Sequence, residues 1–338
     1  MRFCRARLVT GILLVFVLAA AGVPASAQDM RFFRIGTGDT GGTYYPIGGL
    51  IANAISAPPG SRPCELGGAC GVKGLVAVAV ATHGSVSNIR DLQNGRLEAA
   101  FLQSDVAFWG YSGTGIFNGQ PPAPELRVIA YLYPETVHLV VRRDSGISGI
   151  PDLKGKKVSL NEIASGTLAD ARLVLGAFGL TERDITPFYL RPSVAGAKLA
   201  AGEIDAFFFV GGAPVEAIAA LAETTAIALV PIAGATAERA LTRYSFFSFD
   251  EIPAGTYPGV GATATMSVGA MLVTSAAQSE ELIFDITAAL WNANTRKQLD
   301  RVHTKGRLIR AENALKGLAI PLHPGAERYY RKAGLLAQ

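Results

Sequence analysis

The feature that most limits what this chain can fold into is a recurring unit: an apolar strand signal, a polar turn, then a helix start. "VAVAVATHGSVSNI" runs from an apolar strand into a helix cap at Ser85. "AAFLQSDVAF" runs from a strand into Gln103-Ser104-Asp105. "KVSLNEIASGTLADARLVLGAF" reaches Ser165-Gly166-Thr167, then places Leu168, Ala171, Leu175 and Phe178 on one helical face. "DAFFFVGGAPVEAIAAL" passes through Gly211-Gly212 into a helix opened by Pro214. Strands that alternate with helices predict parallel sheets, with ligands held beyond the carboxyl ends of the strands.

The same unit near the start contains a phosphate-binding pattern. In "RIGTGDTGGTYYPIGGLIANAI", Gly36, Gly38 and Gly41 spell G-x-G-x-x-G. A dinucleotide site also needs an acid about 20 positions on, to grip the ribose. That region reads "SAPPGSRP", and no Lys follows the glycines as a Walker loop requires. The cofactor reading is therefore rejected, and no cofactor is expected. The geometry is kept: Gly41 and Gly42 can take positive φ and let a ligand approach the backbone. Thr43 suits an N-cap, and Ile47, Leu50, Ile51, Ala54 and Ile55 make an apolar helical face. A helix start exposes unpaired N–H groups, which favour an anion. Tyr44 and Tyr45 stand at that end, either packing the helix start or facing a ligand.

Residues 1–27 read as a secretory signal peptide. Arg2, Arg5 and Arg7 form a basic start, Leu8 to Ala21 is almost wholly apolar, and Ala25-Ser26-Ala27 is an A-x-A cleavage site. The chain is expected to be exported, with the mature protein beginning at Gln28. Taking three basic residues from 31 leaves 28 against 27 acidic ones, a net charge of +1. That balance gives no argument for a nucleic-acid surface. A hydrophobic content of 49% suffices for two cored domains.

Cys64 and Cys70 remain in the mature chain, in the loop "GSRPCELGGACG". In an oxidising compartment a C-x5-C pair across a turn is most simply a disulfide; a metal pair or a redox site are the alternatives. The four His, at 83, 138, 303 and 323, have no metal-ligand spacing, and no G-x-S-x-G elbow occurs. Neither a metal site nor catalysis is expected. Ser85 near His83 reads as a turn neighbour, and Asp105 as a helix-start charge.

The chain also echoes itself. "GSVSNIRDLQNGRLEAAFL" (84–102) resembles "PSVAGAKLAAGEIDAFFF" (192–209), one residue apart in spacing, which suggests one supersecondary unit in each of two related lobes. Between them, His138 to Val141 reads as a strand. Near the end, "GAMLVTSAAQSEELIFDITAALWNAN" gives another strand and a long helix. These two strands are expected to cross between the lobes as a hinge, near His138 and Leu272. The predicted fold class is α/β, in two related lobes joined by this hinge. Lobe 1 would take 28–138, lobe 2 139–250, and 251–338 would return to pack on lobe 1.

Six stretches in order, "IGTGDTGGTYYPIGG", "ATHGSVSNI", "FLQSDVAF", "IDAFFFVGGAP", "IPAGTYPG" and "IPLHPGAERYYRKAG", together resemble the TAXI-type solute receptors of TRAP transporters. The resemblance spans the mature chain. It implies a two-lobed α/β receptor of type II-like periplasmic-binding-protein fold, with a ligand cleft between the lobes, that captures a small carboxylate or amino acid such as glutamate in the periplasm and passes it to a membrane permease, without catalysis; the chain is expected to act as a monomer. Carried over, Thr40, Gly41, Gly42, Thr43, Tyr44 and Tyr45 would hold one end of the solute. Ser85, Asn88 and Gln103 would add hydrogen bonds, beside Asp105. From the second lobe come Ser165, Thr167, Phe209 and Gly212, Phe209 being either an apolar wall or core. Where the family commonly reads G-A-P-G-S-G-T, this chain has Asn161-Glu162-Ile163-Ala164-Ser165-Gly166-Thr167. The acid gained, Glu162, would face solvent or grip an ammonium group. The same resemblance leaves a second role open, as a sensor docking on a membrane kinase.

Overall fold

The computed structural model describes residues 30–244 and 246–337; the leader read over residues 1–27 lies outside them. β1 (Arg31–Gly36) leads through the glycine loop into α1 (Tyr44–Ile55). Two short strands, β2 (Ser56–Ala57) and β3 (Val72–Lys73), pair and close the surface excursion that the Cys64–Cys70 disulfide staples. β4 (Leu75–Val80), α2 (Ser85–Gln93), β5 (Ala99–Gln103) and α3 (Ser104–Ser112) follow. β1 lies between β4 and β5, parallel to both. Every residue of β5 is buried, as a continuous apolar run in the middle of an α/β sheet requires.

Two long strands join the lobes. β6 (Leu126–Arg142) pairs antiparallel with the last strand of the chain, and then with strands of the second lobe. The second lobe contains β7 (Lys157–Ser159), α4 (Gly166–Ala177), β8 (Thr186–Phe188), α5 (Pro192–Ala200), β9 (Ala206–Gly211), α6 (Glu216–Thr224), β10 (Ile227–Leu229), α7 (Ala235–Arg243) and β11 (Phe247–Ile252). β12 (Thr263–Ser275) then returns to lobe 1, where α8 (Glu280–Leu290), α9 (Ala293–Val302) and α10 (Pro324–Lys332) end the chain. The main sheet runs β4-β1-β5-β12-β6-β9-β7-β8, with β10 on β6 and β11 on β12. Leu126 to Tyr133 of β6 pair with Ala270 to Ser275 of β12, whereas Thr136 to Val141 pair with β9. The change of partner therefore falls at Pro134–Thr136, opposite Ser267–Gly269. Both crossing strands extend well upstream of the segments read from sequence, because the polar residues within them pair across the sheet.

Each lobe has helices on both faces of its part of the sheet. In lobe 1, Ile47 and Ile51 of α1 share a core with Ile283 and Ile286 of α8 and Tyr330 of α10. Ile89 of α2 and Val106 of α3 occupy the other face. In lobe 2, Leu168 and Val174 of α4 pack against Phe208, while Leu199 of α5 and Ile218 of α6 pack against Phe207. Period-2 alternation sends Phe207 and Phe208 to opposite faces, so a strand this apolar must be covered twice.

The internal echo is a structural repeat, with one correction. α2 and α5 are each nine residues, and β5 and β9 each begin six residues after the helix ends. Gly95 and Gly202, one in each connecting turn, both have positive φ, of 64° and 73°. The register equates Ser85 with Pro192, so the Ser-Val match seen in the sequence is one residue out of step.

Candidate ligand-binding site

Three helices place their first residues in the wall of one cavity between the lobes: Tyr44 of α1, Ser85 of α2, and Gly166 of α4. Strand ends followed at once by helix starts bring this about, and both lobes point theirs at the same gap. The cavity is about 40 Å³. That is room for a water or two, far below the ~300–1,000 Å³ of a typical ligand pocket, so the lobes are closed on each other.

Hydrogen bonds cross the gap on every side. Thr43 Oγ1 donates to the Gly212 carbonyl at 2.9 Å. The Ala217 N–H donates to the Gly41 carbonyl at 3.1 Å, and the Ser87 N–H to the Ala164 carbonyl at 3.0 Å. Gln103 Nε2 donates to Asp170 of α4. His83 Nδ1 stands 3.2 Å from Glu162 Oε1 at the rim.

Of the residues named from sequence, Gly42, Thr43, Tyr44, Ser85, Gln103, Glu162, Ser165, Thr167 and Phe209 line the cavity together. Thr40, Gly41, Tyr45, Asn88, Asp105 and Gly212 do not. Thr40 and Tyr45 are exposed. Asn88 is buried behind the wall, where Nδ2 donates to the Thr37 and Phe101 carbonyls at 2.8 and 2.9 Å and ties β1 to β5. Gly41 and Gly212 meet the opposite lobe through their carbonyls.

Local details depart from the sequence reading. Thr43 does not cap α1; its own backbone is helical and its hydroxyl is spent on Gly212. Neither Gly41 nor Gly42 has positive φ. Gly42 is needed for close approach instead: a Cβ there would stand 3.1 Å from the Phe209 ring and 3.2 Å from the Asp39 carbonyl. Ser85 does not cap α2; its Oγ accepts from the Gln103 N–H at 3.1 Å. Ser165 does cap α4, accepting from the Leu168 N–H at 3.1 Å. Thr167 Oγ1 accepts from the Val210 N–H at 3.1 Å and fixes α4 to β9. Phe209 belongs to both of its proposed places: it is in an apolar core and its ring faces the cavity. Glu162 is not left to solvent, since Arg191 Nε stands 2.9 Å from Oε1.

The loop that carries Glu162 is held in an unusual backbone. Asn161 and Ala164 have φ of 74° and 70°. Asn tolerates the left-handed region; Ala has no side-chain hydrogen bond to offset it. The turn aims the Ala164 carbonyl across the gap at the Ser87 N–H.

Beneath the cavity lies a set of acids that sequence reasoning missed or misplaced. Glu135, at the lobe crossing, is 1% exposed and accepts from Tyr44 Oη at 2.5 Å. Burial pushes its carboxyl up to about 8; the Tyr44 hydrogen bond works against this and the nearby Asp105 adds to it. Asp105 and Asp170 are fully buried and act on each other's ionisation. Burial raises both, Asp105 to about 6, and the neighbouring Asp105 raises Asp170 further. Two carboxylates cannot both ionise at that range in a dry site. One sequence signal was available: Asp170 sits between Leu168 and Ala171, on the face of α4 that turns inward. No cluster of three or more metal-ligating side chains occurs among the described residues.

His138 is structural. Its Nδ1–H donates to the Thr136 carbonyl at 3.0 Å, and Nε2 accepts from Tyr257 Oη at 2.9 Å. Burial lowers it to about 4, so the ring is neutral.

Closed lobes, a sheet shared through two crossing strands and a cavity walled by helix starts define the fold of the two-lobed periplasmic binding proteins. Residues 35–334 match the family described as NMT1-like, and the chain belongs to the NMT1-like family. A binding protein of Brucella abortus (strain 2308) is 28% identical over 124 residues, 37% of this chain and 38% of that relative. A binding protein of Brucella suis biovar 1 matches to the same extent. The chain thus spans well under half the length of the curated relatives it matches. Among solved structures, PhnD1 from Prochlorococcus marinus (MIT 9301), in complex with methylphosphonate, has a TM-score of 0.51 at 11% identity, over 90% of this chain and 99% of that one. A protein from Bordetella bronchiseptica RB50 also has a TM-score of 0.51, at 15% identity, over 90% and 82%. At such identities these likenesses speak for the fold.

Proposed function

We propose that this protein is a periplasmic receptor that captures a small solute between its lobes and hands it to a membrane permease. The observation that carries the reading is the convergence of α1, α2 and α4 on one closed, polar inter-lobe cavity. Helix starts bind an anionic end such as a carboxylate, and capture needs the lobes to open about the β6–β12 crossing. The finer assignment is a TAXI-type receptor of a TRAP transporter, taking an organic acid or a glutamate-like amino acid, and acting as a monomer without a catalytic step. Its support is the ordered set of motifs, from the glycine loop to the terminal "IPLHPGAERYYRKAG". The test is a melting-temperature screen of the purified protein against organic acids, amino acids and phosphonates. A ligand that binds only the folded state raises the melting point, by an amount that grows with its concentration. A dicarboxylate or amino acid that does so supports the finer reading. A phosphonate as the sole hit rejects it and keeps the receptor; no stabilising compound of any class rejects the receptor.

A further inference from the structure

Glu135 is a buried acid with one oxygen uncommitted. Oε2 takes the Tyr44 hydroxyl, and Oε1 has no hydrogen-bond partner among the described residues. The residue is 1% exposed yet lines the cavity.

The surroundings say what kind of group Oε1 would take. Besides Glu135 and Tyr44, the charged or titratable lining side chains are Asp39, His83 and Glu162; among the described residues neither Lys nor Arg lines the cavity. Glu162 is already paired with Arg191, and Asp39 Oδ1 accepts the Gly41 N–H at 2.9 Å. Facing Glu135 are Tyr44 from α1, Asp105 from α3, Asp170 from α4, and Tyr131 and Tyr133 on β6 itself. Among the described residues Lys305, in the segment after α9, is the cation acting on it; it does not line the cavity and also faces Asp250. An anion set against Glu135 would meet the field of Asp105, balanced only by Lys305 from outside the cavity lining. A cation there would be drawn by both acids.

Resting on the receptor reading above, we propose that Glu135 is the specificity-determining contact of the cleft. It ion-pairs the ammonium group of an amine-bearing solute, and its carboxyl proton leaves to solvent as that solute binds. The ammonium keeps its own protons, so one proton is released for each solute held. The carboxyl end of such a solute meets the helix starts of α1, α2 and α4. The high protonation range of the empty site follows from the same burial.

Calorimetric titration of the purified protein tests this, with L-glutamate, 4-aminobutyrate and glutarate at pH 6, 7 and 8. Glutamate or 4-aminobutyrate should bind, and glutarate, which lacks the amine, should not. Affinity should rise with pH, approaching tenfold per unit below pH 7, because protons compete with the ammonium. Buffers of different ionisation enthalpy should report the released proton. Glu135→Gln should weaken amine binding at least tenfold and remove the pH slope; its circular dichroism and melting point show that it is folded. The rival arrangement, a neutral Glu135 donating to an anion, predicts the reverse: glutarate binds, affinity falls as pH rises, and Glu135→Gln still binds. That result overturns the proposal. So does a wider panel whose hits all lack an amine, although the receptor reading then survives. If no compound of any class binds, both fall together.

Discussion

Tyr44 Oη donates to Glu135 Oε2 at 2.5 Å, joining the first residue of α1 to the point where β6 passes from one lobe to the other. Both residues are buried and both line the cavity. A ligand that touches either one therefore touches the crossing itself. Tyr44→Phe removes the donor and leaves a buried acid with no partner. The expected cost is about 1–3 kcal/mol of unfolding free energy at pH 7, read from urea denaturation. A loss within error of zero would mean that another group takes the Tyr44 position at no cost.

Stability should fall between pH 6.5 and 8. Glu135 has an ordinary value of 4.5 and is raised to about 8 in the fold, so over this range the native state holds a proton that the unfolded chain has released. Linkage makes such stabilisation complete below the unfolded value and lost as pH rises through the folded one. Asp170 acts in the same direction. His138, lowered from 6.5 to about 4, acts oppositely, but only between those two values. Above pH 6.5 the acids are thus unopposed by it, and each can contribute up to about 1.4 kcal/mol per pH unit. Melting points of the wild type and of Glu135→Gln across this range check the claim. The variant should have the flatter profile; parallel profiles would remove Glu135 as the cause.

Ala164→Gly should stabilise the protein. Ala164 holds φ at 70°, where an L-residue with a Cβ is strained by about 1–2 kcal/mol. Glycine relieves that strain and gives back part of it as extra freedom in the unfolded chain. A net gain of about 0.5–1 kcal/mol is expected from the same denaturation experiment. A loss would show that the Ala164 methyl contributes more in packing than its backbone costs.

The disulfide should matter for stability and not for capture. Cys64 and Cys70 close a short loop, six residues apart in sequence, and neither residue lines the inter-lobe cavity. Loop-closure entropy for so short a ring is worth about 2 kcal/mol. Replacing both cysteines by serine should cost that much and leave affinity unchanged. A large change in affinity would place the loop in the path of lobe closure.

How much of this was legible in the sequence depended on whether the cause was local. The strand–turn–helix units and the Cys64–Cys70 staple are set by residues within a turn of each other, and local pattern found them. The glycine loop was found too, but for an incomplete reason: Gly42 is small because Phe209, 167 positions later, lies over it, and no local rule contains Phe209. The acids were harder. Glu135 sits in "YLYPETVHLVV", where it looks like a break between strands; it is instead inside one 17-residue strand, its charge suppressed by burial. Asp105 was named, yet its partner Asp170 comes from the other lobe, and only the fold brings them together.

Gly42→Val tests whether the opening loop serves closure or only makes a turn. A Cβ at residue 42 would stand 3.1 Å from the Phe209 ring and 3.2 Å from the Asp39 carbonyl, tighter than ordinary contact. The ring belongs to lobe 2 and the carbonyl to lobe 1, so the added methyls of valine wedge the two apart. In the open form the ring moves away, and the wedge keeps only its contact with the Asp39 carbonyl of its own lobe. Gly42→Val should therefore melt within a few degrees of wild type while its affinity for any confirmed solute drops at least tenfold. Small-angle scattering gives the independent reading: solute should shrink the radius of gyration of the wild type and leave that of the variant unchanged. Were the glycine needed only for the local turn, the outcome would invert. The melting point would fall sharply, and whatever protein remained folded would bind and close as the wild type does.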